Sequence, residues 1–134
     1  MGYYTSYSIE VYDKKTDKEM RRDLLADREI DKELGEALIN VKNSYFEDYK
    51  KHGGPDTLSD IITCETLKWY EHDSDMLELS MQYPDYIFVL NGIGEDNFMD
   101  DPDMWKSYYV NGKMQTTYAQ IYYEPIDERI FENE

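Results

Sequence analysis

The residues best suited to chemistry in this sequence are carboxylates. In GIGEDNFMDDPDMW, residues 92–105, five acids fall within nine positions: Glu95, Asp96, Asp100, Asp101 and Asp103. Three chemistries suit such a loop. Gly92 and Gly94 give the start of a glycine-rich phosphate cradle, but the third glycine of that pattern is Asn97, no helical pattern follows at once, and Glu95 and Asp96 would repel a phosphate. The oxygens would suit Ca²⁺ or Mg²⁺, yet the alternation, central glycine and terminal glutamate of a calcium loop are missing and Pro102 interrupts it. The third is a charged surface offered to a partner. The plain alternative is a solvated loop whose Asp101 or Asp103 supports the turn around Pro102.

A second cluster, Glu71, His72, Asp73 and Asp75, has the donor types of a transition-metal or hydrolytic site. The chain has only two histidines, however, and Asp73 and Ser74 stand where a helix would be capped. Cys64 is the only cysteine, so no intrachain disulfide forms, and a reducing cytosol is the expected setting. A nucleophilic role would need a neighbouring base that the sequence does not identify, and a lone cysteine in an apolar run packs as a small core residue. The 14 tyrosines could stack nucleobases, but few lysines or arginines surround them, which favours packing. No pair among the 30 acids stands out as a general acid and base. No catalytic residue, cofactor or resident metal is expected.

These residues must be carried by a folded chain. At 134 residues, 40% hydrophobic and 15% aromatic, the sequence is long enough and apolar enough for one core, so a single domain over 1–134 is expected, with a short acidic tail from about residue 125. The longest apolar run, Tyr86 to Leu90, is far shorter than a membrane span, and no basic, apolar leader opens the chain. Gly2 and Ser6 fit a myristoylation pattern that no basic patch supports. The net charge is −16, and it is lopsided. Up to Gly54 there are 12 acids and 10 bases; from Pro55 there are 18 acids against Lys68, Lys106, Lys113 and Arg129, or −14. Such a surface repels nucleic acid and anionic lipid and attracts basic proteins.

Periodicity sets the elements. Tyr3, Thr5, Tyr7, Ile9 and Val11 alternate with polar neighbours, which predicts a first strand over Tyr3 to Tyr12. Thr16 and Glu19 form a capping box, predicting a helix from about Asp17 to Asp27. Ile30, Leu34, Leu38, Val41, Tyr45 and Tyr49 then recur at three or four residues, in the same helix or a second one, until Gly53-Gly54-Pro55. IITCETLKWY, residues 61–70, is rich in β-branched and aromatic residues and predicts a strand. A short helix capped by Asp73 or Ser74 buries Met76 and Leu79 or Ser80 before Pro84. Tyr86 to Ile93 predicts a central strand. Asn111-Gly112 predicts a type I′ turn joining Trp105–Val110 to Lys113–Tyr123, with Tyr109 opposite Met114 and Trp105 opposite Tyr118. The sum is an α+β sandwich, order β-α(α)-β-α-β-β-β, with helices on one face of a largely antiparallel sheet, in a ferredoxin-like or related arrangement.

LKWYEHDSDM, LSMQYPDYIFVLNGIGE and DMWKSYYVNGKMQ, together with the opening YYTSYSIEV, resemble a group of small proteins of tailed phages and prophages. The resemblance covers about half of the chain and rests on packing and turn residues, so it brings no activity and no functional residue. It implies phage origin and action in the cytoplasm of a bacterial host. The layout also looks similar to ferredoxin-like domains of mobile elements.

The leading expectation is a non-enzymatic protein that binds a basic, nucleic-acid-binding host protein as an acidic mimic of DNA or RNA. It would inhibit a host defence of the anti-CRISPR or anti-restriction type, with no direct contact to nucleic acid or membrane. Glu95, Asp96, Asp100, Asp101 and Asp103 form the expected surface, with Asp73 and Asp75 as a second cluster and the carboxylates in a row along a sheet edge. Two alternatives stay open. One is a binder of a small molecule or signalling nucleotide, with a pocket of Tyr and Trp beside Glu95 or Asp96. The other is a structural or assembly partner, with exposed tyrosines as its contact surface.

Overall fold

A computed structural model describes residues 3–49, 53–63, 66–95 and 102–132. Four strands make one antiparallel sheet: β1 (Thr5–Asp13), β2 (Tyr86–Gly94), β3 (Met104–Val110) and β4 (Lys113–Tyr118), in the order β1-β2-β3-β4. Among the described residues three α-helices lie between β1 and β2 in sequence: α1 (Arg28–Ile39), α2 (Leu58–Thr63) and α3 (His72–Gln82).

The alternation read in β1 is the one observed. Thr5, Tyr7, Ile9 and Val11 are buried. Register puts Val11 opposite Phe88, Ile9 opposite Leu90, Tyr7 opposite Gly92 and Thr5 opposite Gly94. Phe88 and Leu90 in turn face Tyr109 and Ser107 on β3, so one face of the sheet is continuous across three strands. Every strand residue of the main core belongs to this face, and it meets Leu34, Leu38, Leu58, Ile61, Ile62, Met76 and Leu79 from the helices. The opposite face displays Ser6, Ser8 and Ile93 to solvent. The Asn111-Gly112 turn is as expected: both residues have positive φ (45° and 79°), Tyr109 pairs with Met114, and Trp105 pairs with Tyr118. Strand β4 ends at Tyr118, short of the expected Tyr123.

Two expected elements do not form as read, and tertiary contacts explain both. No α-helix opens at Thr16. Residues 18–20 and 24–26 make single 3₁₀ turns, because side chains take over the backbone partners that a helix would use. Arg21 donates to the carbonyls of Thr16 and Lys14, and Asp23 accepts from Leu25 N–H and from Val11 N–H at the edge of β1. The helix starts only at Arg28, capped by Asp27, whose carboxylate accepts from Glu29 N–H at 2.9 Å. It ends at Ile39, and Val41, Ser44 and Phe46 continue as turns.

The strand expected over residues 61–70 is in its first part a helix. Leu58, Ile61 and Ile62 are fully buried at i, i+3 and i+4, and Thr57 Oγ1 accepts from Asp60 N–H at the start. Burial of that stripe outweighs the β-branched propensity of Ile61 and Ile62. Of the described remainder, only Leu67 bridges to a strand, exchanging both backbone hydrogen bonds with Thr5 at 2.9 Å. The described elements therefore run strand, three helices, three strands, an α+β layering from which a ferredoxin-like order does not emerge. Helix α3 buries Met76, Leu79 and Ser80 as expected, but Asp73 does not cap it.

Gly35 lets α1 lie against the chain entering α2. A Cβ there would overlap Asp56 O and come within 2.7 Å of Leu58 N, both backbone atoms with no rotamer to yield. The two helices are joined beside it by Asp31, which accepts from Ser59 N–H at 2.8 Å and Ser59 Oγ at 2.5 Å. Gly35→Ala is expected to destabilise the protein by roughly 2–3 kcal/mol in denaturant melts, although alanine raises helix propensity. An unchanged midpoint would show that α1 and α2 are free to move apart.

Candidate functional site

The expected partner-binding acids fall into different environments. Asp96, Asp100 and Asp101 lie outside the described residues. Glu95 is exposed, its N–H held by Tyr4 O at 3.1 Å. Asp103 accepts twice: its carbonyl from Gly94 N–H at 2.9 Å and its carboxylate from the Tyr3 hydroxyl. Asp73 accepts from the Tyr109 hydroxyl at 2.5 Å and contacts His72 Nδ1 at 3.1 Å. Asp75 was expected on the surface and is buried instead: Trp69 Nε1–H and Tyr45 N–H both donate to its Oδ2, at 2.8 and 3.2 Å. Its carboxylate is committed to the interior because a buried indole N–H left without a partner would be costly.

The row of carboxylates expected along a sheet edge is also absent from β4, whose sequence KMQTTY contains no acid. Together the four strands hold two acids, Glu10 and Asp13, and two bases, Lys106 and Lys113. The three helices hold eight acids and two bases. Asp31 and Asp75 are buried, which leaves six helical acids outside the core, and on α1 Glu29, Glu33 and Glu36 are exposed along one stripe.

Asp103 and His72 meet at a feature that sequence reasoning placed only in general terms. A cavity of about 200 Å³ opens where β1, the start of β3 and the segment before α3 come together. Tyr7, Trp69 and Trp105 wall it, Tyr3 and Tyr70 stand at its mouth, and His72 and Asp103 supply polar atoms. The His72 ring stacks on Trp105 with centroids 4.8 Å apart and planes 20° from parallel. Tyr7 meets both indoles edge-on, at 5.4 Å from Trp69 and 5.9 Å from Trp105. An electron-rich aromatic box with a carboxylate at its rim suits a planar or cationic group.

The glycines of the acidic stretch have their explanation here. Both lie on the covered face of β2. A Cβ on Gly92 would run into the Trp105 indole, and one on Gly94 would run into the Asp103 carboxylate and the Tyr3 hydroxyl. They clear space for side chains, not for a phosphate. The register of β2 on β3 decides it, since Trp105 lies directly across from Gly92, a pairing that the acidic stretch between the two strands does not fix in sequence.

Burial pushes the Tyr7 phenol up to about 12, and burial with the hydrogen bond to Asp73 pushes Tyr109 up as well. Both remain donors, Tyr7 to the Trp69 carbonyl at 3.2 Å and Tyr109 to Asp73. Among the described residues no group of three His, Cys, Asp or Glu side chains is placed to hold a metal ion, so Glu71, His72, Asp73 and Asp75 do not form a ligand set. Cys64 lies outside the described residues. Among those described, no helix is long and apolar enough to cross a membrane. Compared with family models, with curated proteins and with solved structures, the chain matches none.

Two outcomes are expected from this geometry. Gly92→Ala should force Trp105 out of its place, with a red-shifted and more quenchable tryptophan emission; an unchanged spectrum would mean that the indole does not rest on Gly92. Tyr7 keeps its proton in the fold up to about 12, while an unfolded tyrosine loses it near 10, so the unfolded chain binds fewer protons between those values. Stability should therefore fall as pH rises from about 10 to 12, by up to about 1.4 kcal/mol per pH unit for this group. Urea melts across that range should show a shallower decline for Tyr7→Phe, and an equal decline would deny Tyr7 the role.

Proposed function

We propose that this protein works by binding another protein and not as an enzyme. In this reading it is a phage product that offers a nucleic-acid-like acidic surface to a basic host defence protein, of the anti-CRISPR or anti-restriction type, in the host cytoplasm. One observation carries the reading: the charge is segregated. A coat serving solubility alone would have no reason to leave the strands balanced while the helices hold, outside the core, six acids against two bases. The exposed stripe of Glu29, Glu33 and Glu36 and the stretch beginning at exposed Glu95 are the surfaces assigned to the partner. Asp73 and Asp103 serve it less directly, by holding Tyr109 and Tyr3 in place.

The test is capture of host proteins on immobilised protein, followed by elution with duplex DNA. A true target elutes with nucleic acid, is lost as salt rises past a few hundred millimolar, and fails to bind the triple variant Glu29→Lys, Glu33→Lys, Glu36→Lys or the pair Asp100→Lys, Asp101→Lys. Asp103 is left intact because its reversal would also disturb Tyr3. Partners indifferent to salt, to DNA and to both variants would rule the mimicry out.

The aromatic cavity supports a second reading, a small planar ligand such as a nucleobase stacked among Trp105, Tyr7 and Tyr70. A rise in melting temperature with a nucleotide, abolished by Trp105→Ala, is the expected sign; no rise with any nucleotide, with or without Mg²⁺, removes it.

A further inference from the structure

The two edges of the sheet are treated differently by the chain. At β1, Leu67 exchanges two backbone hydrogen bonds with Thr5, and the Asp23 carboxylate takes the Val11 N–H at 3.1 Å, so this edge is partly closed. At β4 nothing among the described residues pairs with the outer side. The two-residue turn makes Val110 and Lys113 a hydrogen-bonded pair, and Ala119 N–H donates to Met104 O at 2.9 Å. Alternation then sends the backbone N–H and C=O of Met114, Thr116 and Tyr118 outward, away from β3.

Beyond β4 the chain continues as an arm that no helix or strand among the described residues covers. Ile121, Tyr122, Tyr123, Ile126, Ile130 and Phe131 are all exposed, Tyr122 at 76% and Phe131 at 64%. A water-exposed apolar series of this size marks a contact surface. Charge indicates what it contacts. From Met104 to Tyr123 the chain runs twenty residues without an acid, carrying Lys106 and Lys113, in a protein with 30 acids. The arm from Glu124 to Glu132 carries four acids and one arginine. The hairpin is therefore the place where this acidic chain meets an acidic segment without repulsion, and the arm is such a segment.

We propose that a second copy of this chain pairs with β4, antiparallel and two-fold symmetric about Thr116, joining two sheets into one of eight strands. In this register Met114 lies opposite Tyr118 of the second copy, and Thr116 opposite its own counterpart, so all three outward residues of each strand are hydrogen-bonded. The exposed side chains of Met114 and Tyr118 cover each other. Lys113 faces Ala119 of the second copy, whose arm then passes the Asn111-Gly112 turn. With the alternation continued, Tyr122 of the second copy emerges on the helix side, where Met81, 52% exposed, packs its Cγ close to the position of a Cβ on Gly112. Its acids follow on past Lys113.

Sedimentation of the full chain should give twice the 16.0 kDa monomer mass. Thr116→Pro removes an outward N–H and leaves the backbone ladder to β3 intact, though it also removes the Thr116 Oγ1–Ser107 Oγ bond, and should give a folded monomer. Removal of residues 120–134 should weaken the dimer at least tenfold. In a Cys64→Ser background, Thr116→Cys should oxidise to a covalent dimer, since opposed hydrogen-bonded residues sit at about 5.5 Å between Cα atoms, within disulfide range. Ser6→Cys, on the β1 side, should not. A wild-type monomer at 100 μM, or a dimer in which Thr116→Cys cross-links no better than Ser6→Cys, overturns the proposal, and the cross-link decides the matter even where the proline variant fails to fold.

Discussion

The indole N–H of Trp69 and the carboxylate of Asp75 meet in the interior at 2.8 Å, and four separate pieces of chain are positioned through that pair. Trp69 packs edge-on against Phe46 and Tyr7, its carbonyl takes the Tyr7 hydroxyl, and Asp75 reaches back to the Tyr45 backbone. The irregular segments around residues 45 and 69, the first turn of α3 and strand β1 are thereby registered on one another. A buried carboxylate is costly unless its hydrogen bonds are met, and here two N–H groups from otherwise unpaired places meet them. That requirement explains how a region with little regular structure still closes over the sheet.

The same economy of space operates at the cavity. Gly92 and Gly94 sit on the covered face of a central strand, where side chains would normally fill the core, and their emptiness admits Trp105 and the Tyr3–Asp103 pair. Trp105 in turn carries His72, so the start of α3 is stacked on β3 through aromatic rings. A rigid box results, built from β1, β3 and the approach to α3, with Asp103 at its rim.

Charge and apolar surface occupy different parts of the molecule. Acids are gathered on the helices and beyond the strand ends; the β3–β4 hairpin has none, and the arm that follows exposes isoleucines and aromatics. The acidic side suits long-range attraction of a basic partner, whereas the hairpin and arm suit short-range burial. The two surfaces are compatible: pairing two sheets about Thr116 would leave both helical layers on the same side, doubling the acidic face.

Whatever local period and turn chemistry govern could be read directly from the residues. The alternation of β1, the apolar run of β2 and the Asn111-Gly112 hairpin with its register were all legible, because side-chain period and the positive φ of a type I′ turn need no distant contact. The surplus of acid and its concentration after Pro55 were legible too. Tertiary structure decided the rest. It made a helix of Leu58–Thr63 because Leu58, Ile61 and Ile62 find one common core, and it dissolved the helix expected at Thr16 because Arg21 and Asp23 bond to β1 and its turn instead. It turned Asp75 inward to an indole and gave Gly92 and Gly94 the task of making room. Each of these depends on which groups lie opposite in space, a property of pairings up to 100 residues apart that no local window contains.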